Sequence, residues 1–129
     1  MTTTKSIYLS QVDHQKLVGI LTSMKRKGNL KAPHLRTLMT ELASAVIVPE
    51  GEAPQDIIGM GSIVEYRNPL SGKTDRAKLV FPAEADASEG RISVLAPLGA
   101  ALIGEIADTE VLCQAPDSTW TLQILKVEH

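Results

Sequence analysis

The sequence predicts an α+β fold: a short N-terminal antiparallel helical hairpin, of coiled-coil type, followed by an antiparallel sheet with one short helix. Three observations predict it. Before residue 49 the apolar residues recur at helical spacing. Beyond Pro54 their period shifts toward two. Between the two regimes lies Pro49-Glu50-Gly51-Glu52-Ala53-Pro54, a hinge-like run of punctuation residues. The expected division is therefore 1–49 for the hairpin and 50–129 for the second domain. A chain of 129 residues buries roughly two thirds of its unfolded surface on folding, enough for a core without crosslinks.

The first helix is expected to open at Ser10-Gln11-Val12-Asp13. The Ser10 hydroxyl suits the N-cap, and Asp13, three residues on, suits the positive end of the helix dipole. Leu17, Ile20, Leu21 and Met24 then fall on one helical face. Gly28 and Asn29 break it. Pro33 opens the second helix, because its missing N–H would be unpaired there anyway. The second apolar stripe reads Leu35, Leu38, Met39, Leu42 and Val46. Helices of about 15 residues would make a hairpin on the order of 20 Å long. Helices that short are marginal alone, so the hairpin is expected to lean on the second half.

In the second half, 62–67 reads as a strand, Asn68-Pro69-Leu70-Ser71-Gly72 as a turn, and 76–81 as the partner strand. Pro82 ends that strand, and 83–90 is an acidic loop of small residues. A short apolar strand beginning at Ile92 leads to Ala96, which the following proline holds out of the helical region. Pro97 starts a short helix that Gly104 stops. Gly99, with no side chain, lets that helix lie close to the sheet. A last hairpin, 111–115 with 119–127, turns around Pro116-Asp117-Ser118. Trp120, Leu122 and Ile124 alternate on one face and Leu125 and Val127 on the other, so a bulge or two partly buried faces are expected there.

The net charge of −2 conceals an asymmetry. Residues 1–49 carry seven Lys/Arg against two acids, a balance of +5; residues 50–129 carry six against thirteen, a balance of −7. The sharpest local feature is the expected hairpin tip, where Lys25, Arg26, Lys27 and Lys31 stand together with no acid. Such a tip seeks phosphates or an acidic protein surface. It cannot hold a divalent metal, which needs carboxylate or carbonyl oxygens. No aromatic residue is interleaved to stack on bases.

No catalytic residue, metal set or cofactor motif is predicted: there is no Walker loop, dinucleotide fingerprint, nucleophile elbow or Cys/His metal spacing. His14, His34 and His129 are scattered and are expected at the surface. Cys113, the single cysteine, sits in an apolar strand and is expected to be a buried structural thiol in a reducing compartment. Met1-Thr2-Thr3-Thr4-Lys5 lacks the apolar run of a signal peptide, and no apolar stretch reaches the length of a membrane span, which predicts a cytoplasmic protein with no membrane contact.

Several stretches carry a family resemblance. Ile92-Ser93-Val94-Leu95-Ala96-Pro97-Leu98-Gly99-Ala100-Ala101-Leu102-Ile103-Gly104, behind a basic helical hairpin, resembles the Gre-factor superfamily. Asp56-Ile57-Ile58-Gly59-Met60-Gly61-Ser62-Ile63-Val64 is similar to the family's opening strand, and 120–128 to its final one. Leu79-Val80-Phe81-Pro82-Ala83 and Ala96-Pro97 are similar to the Rnk-type branch, the regulators of nucleoside diphosphate kinase. The resemblance implies an FKBP-like second domain. It implies docking of Ala96, Pro97 and Leu98 at the rim of the secondary channel of bacterial RNA polymerase. The short basic hairpin would then plug the entrance and exclude Gre-type factors, with any electrostatic contact to nucleic acid made at its tip. The hairpin is shorter than a Gre coiled coil, and its tip lacks the acids with which Gre factors help hold a second magnesium. The resemblance therefore implies a non-catalytic regulator, with an indirect effect on the kinase. The alternatives are a Gre-like transcript cleavage factor, which the tip disfavours, and an FKBP-like prolyl isomerase, which the shortage of aromatic residues disfavours.

Overall fold

The computed structural model describes residues 6–49, 56–115 and 118–129. The order is β1 (Tyr8–Ser10), α1 (Gln11–Arg26), α2 (Pro33–Ala43), β2 (Val46–Val48), β3 (Ile63–Arg67), β4 (Thr74–Val80), β5 (Arg91–Ser93), α3 (Pro97–Leu102), β6 (Glu110–Ala115) and β7 (Ser118–Glu128). Helices and sheet share one hydrophobic core, so the fold is α+β.

The first helix starts where its cap predicts. The Ser10 hydroxyl accepts from the Asp13 N–H at 3.2 Å. It ends in a Schellman turn: the Gly28 N–H bonds the Lys25 carbonyl and the Asn29 N–H bonds the Met24 carbonyl, with Gly28 at φ 74°. The two helices run in opposite directions, since His14 near the start of α1 donates from Nε2 to the Leu42 carbonyl near the end of α2 at 2.8 Å. Leu17, Leu21 and Leu38 are 0% exposed. Two helices alone cannot enclose those side chains; a third layer, α3 and the sheet, covers them. Each fully buried leucine contributes roughly 1.5–3 kcal/mol, which offsets the marginal helicity of an 11-residue segment such as α2.

Two expectations about this half are corrected. Val46 is not on the α2 stripe, because the helix stops at Ala43 and the chain enters β2. There Val46 pairs with Tyr8 in a two-stranded parallel sheet, β1 with β2. Val46 and Ile47 are exposed, and the β-branched run Val46-Ile47-Val48 suits a strand better than another helical turn. The histidines are not free surface residues: His14 and His34 are half-buried, each bonded to a main-chain carbonyl, and His129 Nδ1 lies 3.0 Å from the Ser62 hydroxyl. The hinge-like run, apart from Pro49, and the tip of the last hairpin at Pro116 and Asp117 lie outside the described residues.

The main sheet has the order β5-β4-β3-β7-β6. Three of its pairings are antiparallel, but β5 runs parallel to β4, so the sheet is mixed rather than purely antiparallel. Two short 3-10 turns, Pro82–Glu84 and Ala87–Glu89, bring the chain back to run in the same direction. On the core face stand Val64, Ala77, Leu79, Val111, Cys113, Leu122 and Ile124. The β3–β7 register shifts between Glu65 and Tyr66: Tyr66 pairs with Ile124 and Glu65 with Lys126, leaving Leu125 as the extra residue. This bulge turns Val127 back to the core, where it packs against the cluster.

Candidate functional site

The site is built on the chain between β5 and Gly104. The Ser93 hydroxyl accepts from the Leu95 N–H at 3.0 Å, and the Ser93 carbonyl accepts from the Ala96 N–H at 3.0 Å. This closes a tight turn after β5 and places Pro97 at the first position of α3. The helix lies directly against that turn. A Cβ on Gly99 would sit 2.1 Å from the Ser93 carbonyl oxygen and 2.8 Å from the Val94 Cα, so only glycine fits. Gly104 stops the helix at φ 76°, and a Cβ there would meet the Ile7 side chain at 2.6 Å. Its amide donates to the Ile58 carbonyl at 2.9 Å, and its carbonyl accepts from the Tyr8 N–H at 3.1 Å. Both ends of the short helix are thus fixed by main-chain contacts rather than by its own propensity.

On this frame Leu95, Ala96, Pro97 and Leu98 form four successive apolar residues, each half-buried. Leu95 and Leu98 pack against the core. The three residues expected to dock, Ala96, Pro97 and Leu98, are therefore contiguous and partly accessible. The four basic residues, Lys25, Arg26, Lys27 and Lys31, are all exposed in and around the α1–α2 turn. That turn is also held by Arg36, whose Nε donates to the Leu30 carbonyl at 3.2 Å.

The start of α2, which follows the basic turn, is tied to the apolar run by a histidine expected at the surface. His34, the second residue of α2, donates from Nε2 to the Leu95 carbonyl at 2.8 Å. Its partner is 61 residues away in sequence, so no local signal marks the pair. Asp13 makes a second long-range tie, accepting from the Met60 N–H at 3.0 Å. Lys16 adds a third link from α1, with its ammonium 5.5 Å from the centre of the Phe81 ring.

Among the described residues no group of three His, Cys, Asp or Glu side chains is placed to hold a metal ion. Ser62 and His129 are close enough to suggest a nucleophile and base, but Ser62 is 0% exposed and its hydroxyl accepts from the Gly59 N–H at 2.9 Å. Burial pushes the Cys113 thiol up from its ordinary value, which disfavours the reactive thiolate. Burial, with repulsion from Asp75 and then Cys113, raises the Tyr66 phenol. On the acidic loop, the Ser88 hydroxyl bonded to Asp86 holds that carboxyl low; on the sheet, the Lys126 ammonium does the same for Glu128. No helix among the described residues is long and apolar enough to cross a membrane.

Comparison with known proteins agrees with this architecture. Residues 53–129 match the family described as transcription elongation factor, GreA/GreB, C-term. Over 125 residues the chain is 30% identical to the regulator of nucleoside diphosphate kinase of Escherichia coli, covering 96% of this chain and 90% of that protein. It is 36% identical over 88 residues to the transcription inhibitor protein Gfh1 of Thermus thermophilus, covering 67% of this chain and 54% of that one. A solved structure, the prokaryotic transcription elongation factor GreA/GreB from Nitrosomonas europaea, superimposes with a TM-score of 0.77 at 30% identity, over 95% of this chain and 99% of that chain. The chain therefore belongs to the GreA/GreB family of transcription factors, and its likeness to the regulator of nucleoside diphosphate kinase runs through nearly its whole length.

Proposed function

We propose that this chain is a non-catalytic regulator that binds the secondary channel of bacterial RNA polymerase and competes there with Gre-type factors. In this reading the chain works in the cytoplasm as a helical hairpin over 1–49 and an FKBP-like domain over 50–129. Ala96, Pro97 and Leu98 dock at the channel rim, and the hairpin obstructs the entrance. Any effect on nucleoside diphosphate kinase is indirect, through transcription.

One observation carries the reading: the α1–α2 turn presents Lys25, Arg26, Lys27 and Lys31 and no carboxylate. A cleavage-stimulating tip must supply anionic oxygens to a divalent ion, and ammonium groups repel one. At 1.5 Å per residue, the helices of 16 and 11 residues span only about 24 and 17 Å, which favours obstruction over deep reach. One relative is named as a transcription inhibitor, in keeping with this.

The test is binding of labelled protein to purified core RNA polymerase at two salt concentrations, with an unlabelled Gre factor as competitor. Saturable binding that the competitor displaces is expected. Absence of binding at either salt overturns the proposal. Shortening of the transcript in a stalled elongation complex would overturn its non-catalytic part.

A further inference from the structure

The start of α2, a few residues past the basic turn, is bonded to the apolar run. His34 Nε2 donates to the Leu95 carbonyl at 2.8 Å. Lys31 precedes His34 by three residues, a span of at most about 11 Å of chain. Lys25, Arg26, Lys27, Lys31 and Arg36 are all exposed, on the α1–α2 turn and the helix turns that flank it. The α2 helix opens here with no acid in its first turn and no capping side chain, so its positive end is uncompensated. The sequence holds no carboxylate from His14 to Thr40. Beside this positive field stand Leu95, Ala96, Pro97 and Leu98, each half-exposed, with no polar side chain among them.

We infer that the α1–α2 turn and the Leu95–Leu98 run form a single docking surface for one protein face that carries acidic side chains beside an apolar ridge. The inference rests on the polymerase-binding reading and deepens it: the cations of the turn serve the protein partner, not nucleic acid. An apolar patch with a charged margin is the anatomy of a protein interface, in which the patch supplies burial and the charges supply steering. A nucleic-acid strand would find cations here but no aromatic ring to stack on, and it would gain nothing from the apolar run.

The decisive experiment uses core RNA polymerase free of nucleic acid as the probe, with a single-stranded RNA as the second probe. One variant is Lys27→Glu with Lys31→Glu, on exposed positions. The other is Ala96→Asp, which puts a carboxylate on the apolar run. Aspartate suits the N-cap of α3, so this change is compatible with folding. Both variants are expected to weaken binding to the nucleic-acid-free enzyme, the double reversal by on the order of tenfold at low salt and by less at high salt. Neither wild type nor variants should hold the RNA. If the reversed turn binds the bare enzyme like wild type and loses affinity only for RNA, the single surface is wrong. Weakened binding by Ala96→Asp in that same experiment would leave the polymerase-docking reading in place. If Ala96→Asp also binds like wild type, that reading falls as well.

Discussion

The Asp13 carboxylate accepts a hydrogen bond from the Met60 N–H at 3.0 Å, joining the first turn of α1 to the segment that leads into β3. The same residue stands three positions after the N-cap, where its charge favours the helix dipole. One side chain therefore acts in local helix start and in long-range packing. A Cβ on Gly59 would lie 3.3 Å from the same carboxylate oxygen, so the segment passes close by.

Replacing this acid is expected to loosen the attachment of the hairpin. Asp13→Ala should lower unfolding stability by about 1.5–3 kcal/mol, the range for a hydrogen bond to a charged group. Asp13→Asn should cost less, because the amide oxygen still accepts. Urea denaturation of the three proteins checks the order, and equal midpoints would refute it.

Two glycines should respond in opposite directions to alanine. At Gly99 the new Cβ would overlap the Ser93 carbonyl, so Gly99→Ala should destabilise by about 3 kcal/mol or more and displace α3. Gly19 lies inside α1 with nothing within 4 Å of its added Cβ. Gly19→Ala should stabilise by about 0.5–1 kcal/mol. Thermal melts of the pair decide the point.

Removing the imidazole that joins α2 to the Leu95–Leu98 run, proposed above to dock, leaves the Leu95 carbonyl without that donor. His34→Ala should cost about 1 kcal/mol in stability and weaken polymerase binding as well. His34→Gln, which keeps a donor, should restore part of both. Full affinity in the alanine variant would show that the contact does not position the run.

Alkaline pH should destabilise the fold through a buried thiol and a half-buried phenol. Burial raises the Cys113 thiol, and burial with Asp75 and Cys113 raises the Tyr66 phenol. The unfolded chain therefore loses these protons first. Stability from both groups is full below their unfolded values and falls as pH rises, beginning near about pH 9 for the thiol and about pH 10 for the phenol. Cys113→Ala should flatten the first part of that decline and Tyr66→Phe the second. Denaturation midpoints measured across this range provide the check.

Much of the local structure was legible in the chain. Ser10 marks the start of α1, Gly28 its end and Pro33 the start of α2, because caps and stops act within a few residues of themselves. Gly99 and Gly104 were legible for the same reason: one lacks a side chain at a close approach, and the other adopts φ 76°. Leu122 and Ile124 declared a buried face by alternation, and Leu125 and Val127 left a choice between a bulge and two partly buried faces, which the register shift at Glu65/Tyr66 resolves as a bulge.

By itself, then, the sequence determined the order of the three helices and of the five strands of the main sheet, the ends of the first two helices, most of the faces that go inward and the charge of the α1–α2 turn. Those properties arise from neighbours one to four residues apart. Only the tertiary structure decided that Val46 leaves the helix to pair with Tyr8, that β5 runs parallel to β4, and that His34 reaches Leu95. Those depend on groups from 13 to 61 residues apart whose meeting is set by burial of the shared core. A histidine or valine carries no local mark of a partner that distant, and a short strand takes its direction from the neighbour it joins.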